Sequence, residues 1–267
     1  MKKNKDEDKK KFRGEAIVCF IDILGFSDDI RQNWEKPESD PDHPLKKILA
    51  IKEKAKNFEF LASDKSQNFP NKNEQIKVTS MSDSFVIRFS IDGILSDCQK
   101  IIRIRLFLHL VSAIWVSCIL NGYTVRGAIS IGDVYWDDDS IIGNTFIDVY
   151  KLESTVAKNS RIIISSDMNK ELKNLFDMQE SLTREWQEFP IWLEEVASIL
   201  RKDVDGYLIL NPKFMLSLAK DNPIIELLSD MKNKVADNIV KEKYTPLINM
   251  LKSEDSVPLT ASDFGHY

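Results

Sequence analysis

Ala16–Ile21 (AIVCFI) is an unbroken apolar run, and an aspartate follows it with no spacer. Runs of this length that are rich in β-branched and aromatic residues, without alternation, read as strands buried on both faces. The chain must therefore build a sheet with cover on each side. Asp22 falls where that strand leaves the interior. Gly25, three residues on, allows a tight turn or a close approach of backbone to a ligand.

The rest of the chain supplies the cover. Phe26 to about Trp34 reads as helix. A polar loop bearing prolines, Pro37 to Pro44, leads to a second helix over Leu45–Leu61. Its apolar positions Leu45, Ile48, Leu49, Ile51, Ala55, Phe58 and Leu61 fall near a helical period. Ser63 to Asn73 is a further polar loop. Gln75–Met81 and Ser84–Phe89 are β-type runs separated only by Ser82 and Asp83, which predicts a hairpin with Asp83 at its tip. A long helix follows over Ile94–Leu120, stopped by Asn121-Gly122. Thr124–Tyr135 reads as strand, Asp137–Ser140 as turn, Thr145–Ala157 as helix, Arg161–Ser165 as buried strand and Gly206–Leu210 as a late strand. Pro212–Lys252 reads as two amphipathic helices. Strands separated by helices without a strict βαβ rhythm predict an α+β sandwich, not a doubly wound sheet.

Composition narrows the function. The 267 residues are 43% hydrophobic and 30% charged, with a formal net charge of -5. That balance suits a soluble globular protein and argues against nucleic acid as the main partner. A nucleotide-sized anion needs only a few well-placed cations. The three cysteines, Cys19, Cys98 and Cys118, form no CxxC pair and read as reduced, buried thiols of a cytoplasmic protein. The three histidines, His43, His109 and His266, form no zinc motif. Lys2–Arg13 is almost wholly charged with no apolar segment behind it, so residues 1–13 read as a disordered arm, not a signal peptide. Leu106–Val125 carries no formal charge, but its His, Ser, Asn and Gly residues leave too short an apolar core to span a bilayer of about 20 residues. It is expected to be a buried helix, with no membrane partner. His109, Trp115 and Trp136 are expected to pack rather than bind ligand.

Two aspartates carry the chemistry. Asp22 sits in Phe20-Ile21-Asp22-Ile23-Leu24-Gly25-Phe26, and Asp83 sits in the turn Ser82-Asp83-Ser84. Further on come Arg126-Gly127-Ala128-Ile129 and Gly143-Asn144-Thr145-Phe146-Ile147-Asp148-Val149-Tyr150-Lys151-Leu152-Glu153-Ser154. In this order the four blocks resemble the class III nucleotide cyclases, across roughly Ala16–Ser165. The resemblance implies a cyclase-like sandwich of a mostly antiparallel sheet with helices. It implies a nucleotide cyclase domain over residues 14–210, followed by a helical extension over 211–267. By the same resemblance, Asp22, Asp83 and the carbonyl of Ile23 hold two Mn2+ or Mg2+ ions. Gly25 and Phe26 lie against the phosphates, and Arg126 contacts the triphosphate. The resemblance also implies a homodimer with active sites shared between subunits.

The departures are specific. The family's ribose-binding asparagine falls on Ile147 and its transition-state arginine on Lys151, which keeps the charge but lacks the planar fork. The two purine-selecting positions fall on Thr79 and Ser140. Arg161 is a further candidate cation. This combination is similar to the stand-alone pyrimidine cyclases of bacterial Pycsar anti-phage systems. It implies cyclisation of UTP, or less readily CTP, with the product read by a separate effector. Two alternatives stay open: a catalytically inactive module that binds a nucleotide or a partner, and a purine cyclase.

Overall fold

The apolar run opens into β1 (Phe12–Leu24), which pairs antiparallel with β3 (Ser84–Ser90) on one side and β4 (Thr124–Trp136) on the other. The computed structural model describes residues 11–62, 76–93, 96–137, 139–219, 222–235, 238–253 and 259–265. The expected Ser63–Asn73 loop and all but the last three residues of the expected arm lie outside them. Phe12 and Arg13 belong to β1.

Between β1 and β3 come α1 (Phe26–Asn33), α2 (Pro44–Ala62) and β2 (Ile76–Met81). After β3 come α3 (Asp97–Leu120), β4, β5 (Ile141–Ile142), α4 (Asn144–Thr155), β6 (Ile162–Ile164), α5 (Ser166–Asp177), α6 (Gln179–Glu185) and α7 (Phe189–Ile199). Then β7 (Leu200–Lys202), β8 (Leu208–Leu210), α8 (Pro212–Ala219), α9 (Ile224–Lys234) and α10 (Asn238–Lys252) follow. Among the described residues the sheet has eight strands in the order β2-β3-β1-β4-β6-β8-β7, with β5 paired to β4. Every ladder is antiparallel except β4–β6. The mixed α+β architecture expected from the sequence is present.

The sheet is covered on both faces, as the continuous run requires. Ile17, Cys19, Ile21 and Ile23 of β1 point into the main core, and Ala16, Val18 and Phe20 into a smaller one. Helix α3 fills the main core. Ser96 caps it by accepting from the N–H of Gln99 at 3.3 Å, and Ile101, Phe107, Val111, Ile114 and Trp115 are fully buried. Each such side chain contributes on the order of 1.5–3 kcal/mol. Among the described residues α3 is the one helix long and apolar enough to cross a bilayer, and here it is the central helix of the core. Trp115 donates its indole N–H to Thr124 Oγ1 at 3.3 Å.

The smaller core lies under α4. Val149 and Leu152 pack there, and Phe20 meets Phe146 and Tyr150 edge-on at 6.4 and 5.5 Å. Gly127 permits close approach of β4 to β1, because a Cβ there would lie 2.5 Å from the Phe20 carbonyl.

Pro212–Lys252 forms three helices rather than the expected two. Pro223 starts α9, since proline cannot donate to a preceding helical turn and biases the residue before it away from α. Met215 of α8, Leu228 of α9 and Tyr244, Leu247 and Leu251 of α10 all join the main core cluster.

Candidate active site

Register brings the site together. Asp22 pairs with Ser84 on one side and with Arg126 on the other. Directly opposed residues share a sheet face, so Asp22 and Arg126 project on the α4 side with Phe20. One residue later the N–H of Ile23 donates to the carbonyl of Asp83 at 3.0 Å. Strand β1 is thereby joined to the turn that carries the second carboxylate.

That turn is tight. Ser82 and Asp83 connect Met81 to Ser84 with nothing else between the strands. Ser82 has φ 53, a left-handed conformation that favours glycine. After β1, Gly25 has φ 90 and caps the start of α1, which turns the chain sharply behind Asp22. The Phe26 side chain is buried edge-on against Tyr123 at 5.9 Å, so only its backbone can face a ligand. A strut holds α1 in place: Asp29 bonds Lys47 Nζ at 3.1 Å and Asn33 Nδ2 at 2.6 Å, and also accepts from the Tyr123 hydroxyl.

Asp22 is surrounded by polar groups of both signs. Its Oδ2 accepts from Arg126 Nε at 3.0 Å, and its Oδ1 from Ser84 Oγ at 3.4 Å. Burial raises its pKa most, Arg126 lowers it, and the charge of Asp83 raises it again. Two carboxylates close enough to repel make a site that favours a cation of hard-ligand preference. Asp22 and Asp83 offer the hard oxygen donors that Mn2+ or Mg2+ takes, though among the described residues no third His, Cys, Asp or Glu joins them to make a metal-binding group. Arg126 supplies the positive charge that this pair calls for.

Glu153 completes the cluster. It lies on the buried stripe Thr145, Val149, Glu153 of α4, and its side chain is 4% exposed. Its Oε1 is 2.6 Å from Arg126 Nε yet off the N–H direction, so the two are in contact without a hydrogen bond. Burial raises the Glu153 pKa to about 7, against the lowering effect of Arg126 and with a further rise from Asp22.

The structure thus gathers Asp22, Ile23, Asp83 and Arg126, followed by Gly25 and Phe26. Thr79 opposes Val86, which opposes Phe20, so it shares the face of Asp22 near the sheet edge. The other candidates stand elsewhere. Ser140 follows β4 at its far end, near Phe12, roughly 30 Å along the sheet from Asp22. Its N–H donates to Asp137 Oδ1 at 2.7 Å. Lys151 is exposed and, with Asp148, Thr155, Ser165, Asp167 and Tyr207, lines a cavity of about 400 Å³. Two residues along a helix turn about 200°, so Lys151 faces away from Glu153. Arg161 is buried and bonded to Asp203 Oδ2 at 2.5 Å, with Asp205 Oδ2 at 2.7 Å and the Val156 carbonyl at 2.9 Å. The residue pattern overlooks Ser84 and Glu153. For Glu153 the i, i+4 stripe on α4 carries the signal.

No family model matches the chain, and no curated protein matches it. Solved structures do. The adenylyl cyclase CyaB from P. aeruginosa is similar with 14% identity over 62% of this chain and 83% of that one, at a TM-score of 0.43. The guanylyl cyclase domain of the RhoGC fusion protein from the aquatic fungus Blastocladiella emersonii, as an E497/C566D double mutant, has the same identity and TM-score over 75% of this chain and 97% of that one. A class III adenylyl cyclase-like ATP-binding protein from Pseudomonas aeruginosa also matches at 14% identity and a TM-score of 0.43, over 62% of this chain and 37% of its own length.

Proposed function

We propose that the chain is a nucleotide cyclase that converts a pyrimidine nucleoside triphosphate, UTP before CTP, to its 3′,5′-cyclic monophosphate and pyrophosphate. The observation that carries this reading is the meeting of Asp22 with the Asp83 turn, fixed by the hydrogen bond between Ile23 and Asp83, with Arg126 beside them. Three of the four sequence blocks that resemble class III cyclases contribute those residues, in the expected order.

In the reaction the ribose 3′-hydroxyl gives its proton to solvent as its oxygen attacks the α-phosphorus; a P–O bond forms, and the bond to the leaving pyrophosphate breaks. Asp22 and Asp83 would hold divalent ions, which would supply Lewis-acid activation of the 3′-hydroxyl and charge neutralisation. The protein's own part is positional. The C-terminal end of β1 and the β2–β3 turn fix two carboxylates at one end of the sheet. The turn at Gly25 brings backbone N–H groups toward the phosphates, and Arg126 offers a planar cation to the triphosphate.

Lys151 and Ser140 face away from this centre within one chain. Their roles in transition-state and base contact therefore require a second subunit, which supports a homodimer with shared sites. The exposed apolar residues Ile147 and Tyr150 on α4 and Ile142 beside it are fitted to such an interface. Thr79 and Ser140 offer neutral hydroxyls, which can bond the O2, O4 or N4 of a pyrimidine without reading a purine edge by charge. The biological reading that follows is synthesis of a second messenger for a separate effector in anti-phage defence.

The deciding experiment incubates the pure protein with each of the four NTPs and Mn2+ and separates products by mass. Cyclic UMP or cyclic CMP as the main product supports the whole reading. Cyclic AMP or cyclic GMP retains the cyclase and rejects the pyrimidine choice. Nucleotide binding with no product selects the inactive module, the outcome that Ile147 in place of asparagine favours.

A further inference from the structure

Arg126 stands between two carboxylates and bonds only one of them. Nε–H points at Asp22 Oδ2, and Nη2 lies 3.0 Å from the same oxygen. Glu153 Oε1 is closer to Nε, at 2.6 Å, but receives no hydrogen bond from any group. With a side chain only 4% exposed, Glu153 has little water to replace the missing donor. The two form an ion pair, but a buried carboxylate oxygen that receives no hydrogen bond is less well satisfied than one that does. A small swing of the guanidinium about its side-chain torsions would relieve it by carrying Nε–H from Asp22 to Glu153.

This arrangement matters if Asp22 must release its present partner to act. On the reading of Asp22 as a metal ligand, we propose that Arg126 is its resident counter-cation, and that Glu153 is the positioning residue to which Arg126 transfers when a divalent cation takes Asp22. Three consequences follow. Asp22 never stands unpaired in a half-buried setting. Arg126, once released, stays anchored at the end of α4, beside the site, instead of relaxing into solvent. Metal affinity in the nucleotide-free protein is set by competition between the ion and Arg126, moderated by Glu153.

Mn2+ binding to the full-length, nucleotide-free protein tests this, read by electron paramagnetic resonance of the free ion above neutral pH. The set is wild type, D22N, R126A, E153Q and R126A/E153Q, with circular dichroism to verify folding. R126A removes the competitor and should bind Mn2+ on the order of tenfold more tightly, the equivalent of one charge-assisted contact. E153Q leaves Arg126 wholly on Asp22 and should bind on the order of tenfold more weakly. E153D, which keeps the carboxylate, should recover most of that loss. In the R126A background, E153Q should change affinity by less than about twofold, because a positioning residue acts only through the group it positions.

Equal weakening by E153Q with and without Arg126 would show a through-space charge effect and overturn the transfer. So would Mn2+ binding by R126A that is no tighter than wild type. If R126A does not fold, R126Q carries the same expectation. D22N binding Mn2+ as well as wild type would overturn the metal reading and the transfer together. Loss of binding in D22N, alongside flat responses in R126A and E153Q, would overturn the transfer alone.

Discussion

The N–H of Ile23 donates to the carbonyl of Asp83 at 3.0 Å, so the residue after the first carboxylate is bonded to the backbone of the second. The bond extends the β1–β3 ladder by one step beyond the Asp22–Ser84 pair. It makes the spacing of the two carboxylates a property of strand register, not of loop conformation. A one-residue slip would turn Asp22 to the opposite face, and the fully buried Ile17, Cys19 and Ile21 forbid such a slip.

Because geometry holds this pair, charge removal should leave it standing. D22N and D83N should each fold with wild-type circular dichroism and lose cyclic nucleotide formation by at least about a hundredfold, the scale of losing a preorganised electrostatic contact. Mass detection of product with Mn2+ present reads the outcome. Near-normal turnover in either variant would remove the metal assignment.

The turn itself stores strain at Ser82. A left-handed φ costs a non-glycine residue about 1–2 kcal/mol, whereas glycine there loses about 0.5–1 kcal/mol through the freedom of the unfolded chain. The difference sets the expectation for S82G. It should gain between zero and about 1.5 kcal/mol in urea unfolding, with Asp83 still in place. A clear loss of stability would mean that the Ser82 side chain contributes more to the turn than its strain costs.

Much of this was readable in the residues. The apolar run of β1, the hairpin, α3 and the β4 strand follow from period and turn chemistry at their own positions. Asp83 stands in the hairpin turn as expected, whereas β1 does not stop before Asp22 but runs on through it to Leu24, because Ile23 and Leu24 are also buried. What local pattern leaves out is which strands are neighbours, and hence that Arg126 lies directly opposite Asp22. No element was expected over 166–202, yet α5, α6, α7 and β7 fill it. Helix α5 does carry a visible stripe, with Met168, Leu172 and Leu175 buried. Arg161 shows the converse limit. A cation at a strand end looks free in sequence, and only the fold places Asp203 and Asp205, more than forty residues on, against it.

That Arg161 cluster predicts a stability effect in place of a substrate effect. The Arg161 and Asp203 side chains are 8% and 3% exposed, and removing one partner of a buried pair leaves the other charge uncompensated, at about 3–5 kcal/mol. R161A should lower stability by that order in denaturant unfolding. Its KM for nucleotide should stay unchanged under conditions where it remains folded. A raised KM in a stably folded variant would return Arg161 to the substrate site.

Glu153 predicts how stability varies with pH. Its pKa in the folded chain is about 7, above the roughly 4.3 of an unfolded glutamate. Between those values the folded chain binds more protons than the unfolded one, so stability falls as pH rises and levels off above the folded pKa. The metal-free wild type should therefore lose stability from about pH 4.5 to pH 7, by at most on the order of 3–4 kcal/mol from this group. E153Q, which cannot ionise, should show a flatter curve over that window. Thermal melts at several pH values check it, and parallel curves for the two proteins would remove Glu153 as the cause.

The placement of Lys151 gives the last prediction. It lies on the side of α4 away from Glu153, in the cavity with Ser165 and Asp167, while Asp22 stands with Arg126. If both residues serve one reaction, they must meet across two chains. D22N and K151A should then each be inactive as homodimers, yet complement when mixed. A heterodimer has one site with both lesions and one with neither. Half of a random mixture is heterodimer with one sound site of two, so activity should return to about a quarter of wild type, provided the subunits of this protein-protein pair exchange. Refolding the two variants together ensures that exchange, and sedimentation verifies the dimer. Active K151A homodimers would remove Lys151 from the reaction. Two inactive variants that fail to complement after verified exchange would place both lesions in the same site and refute the shared arrangement.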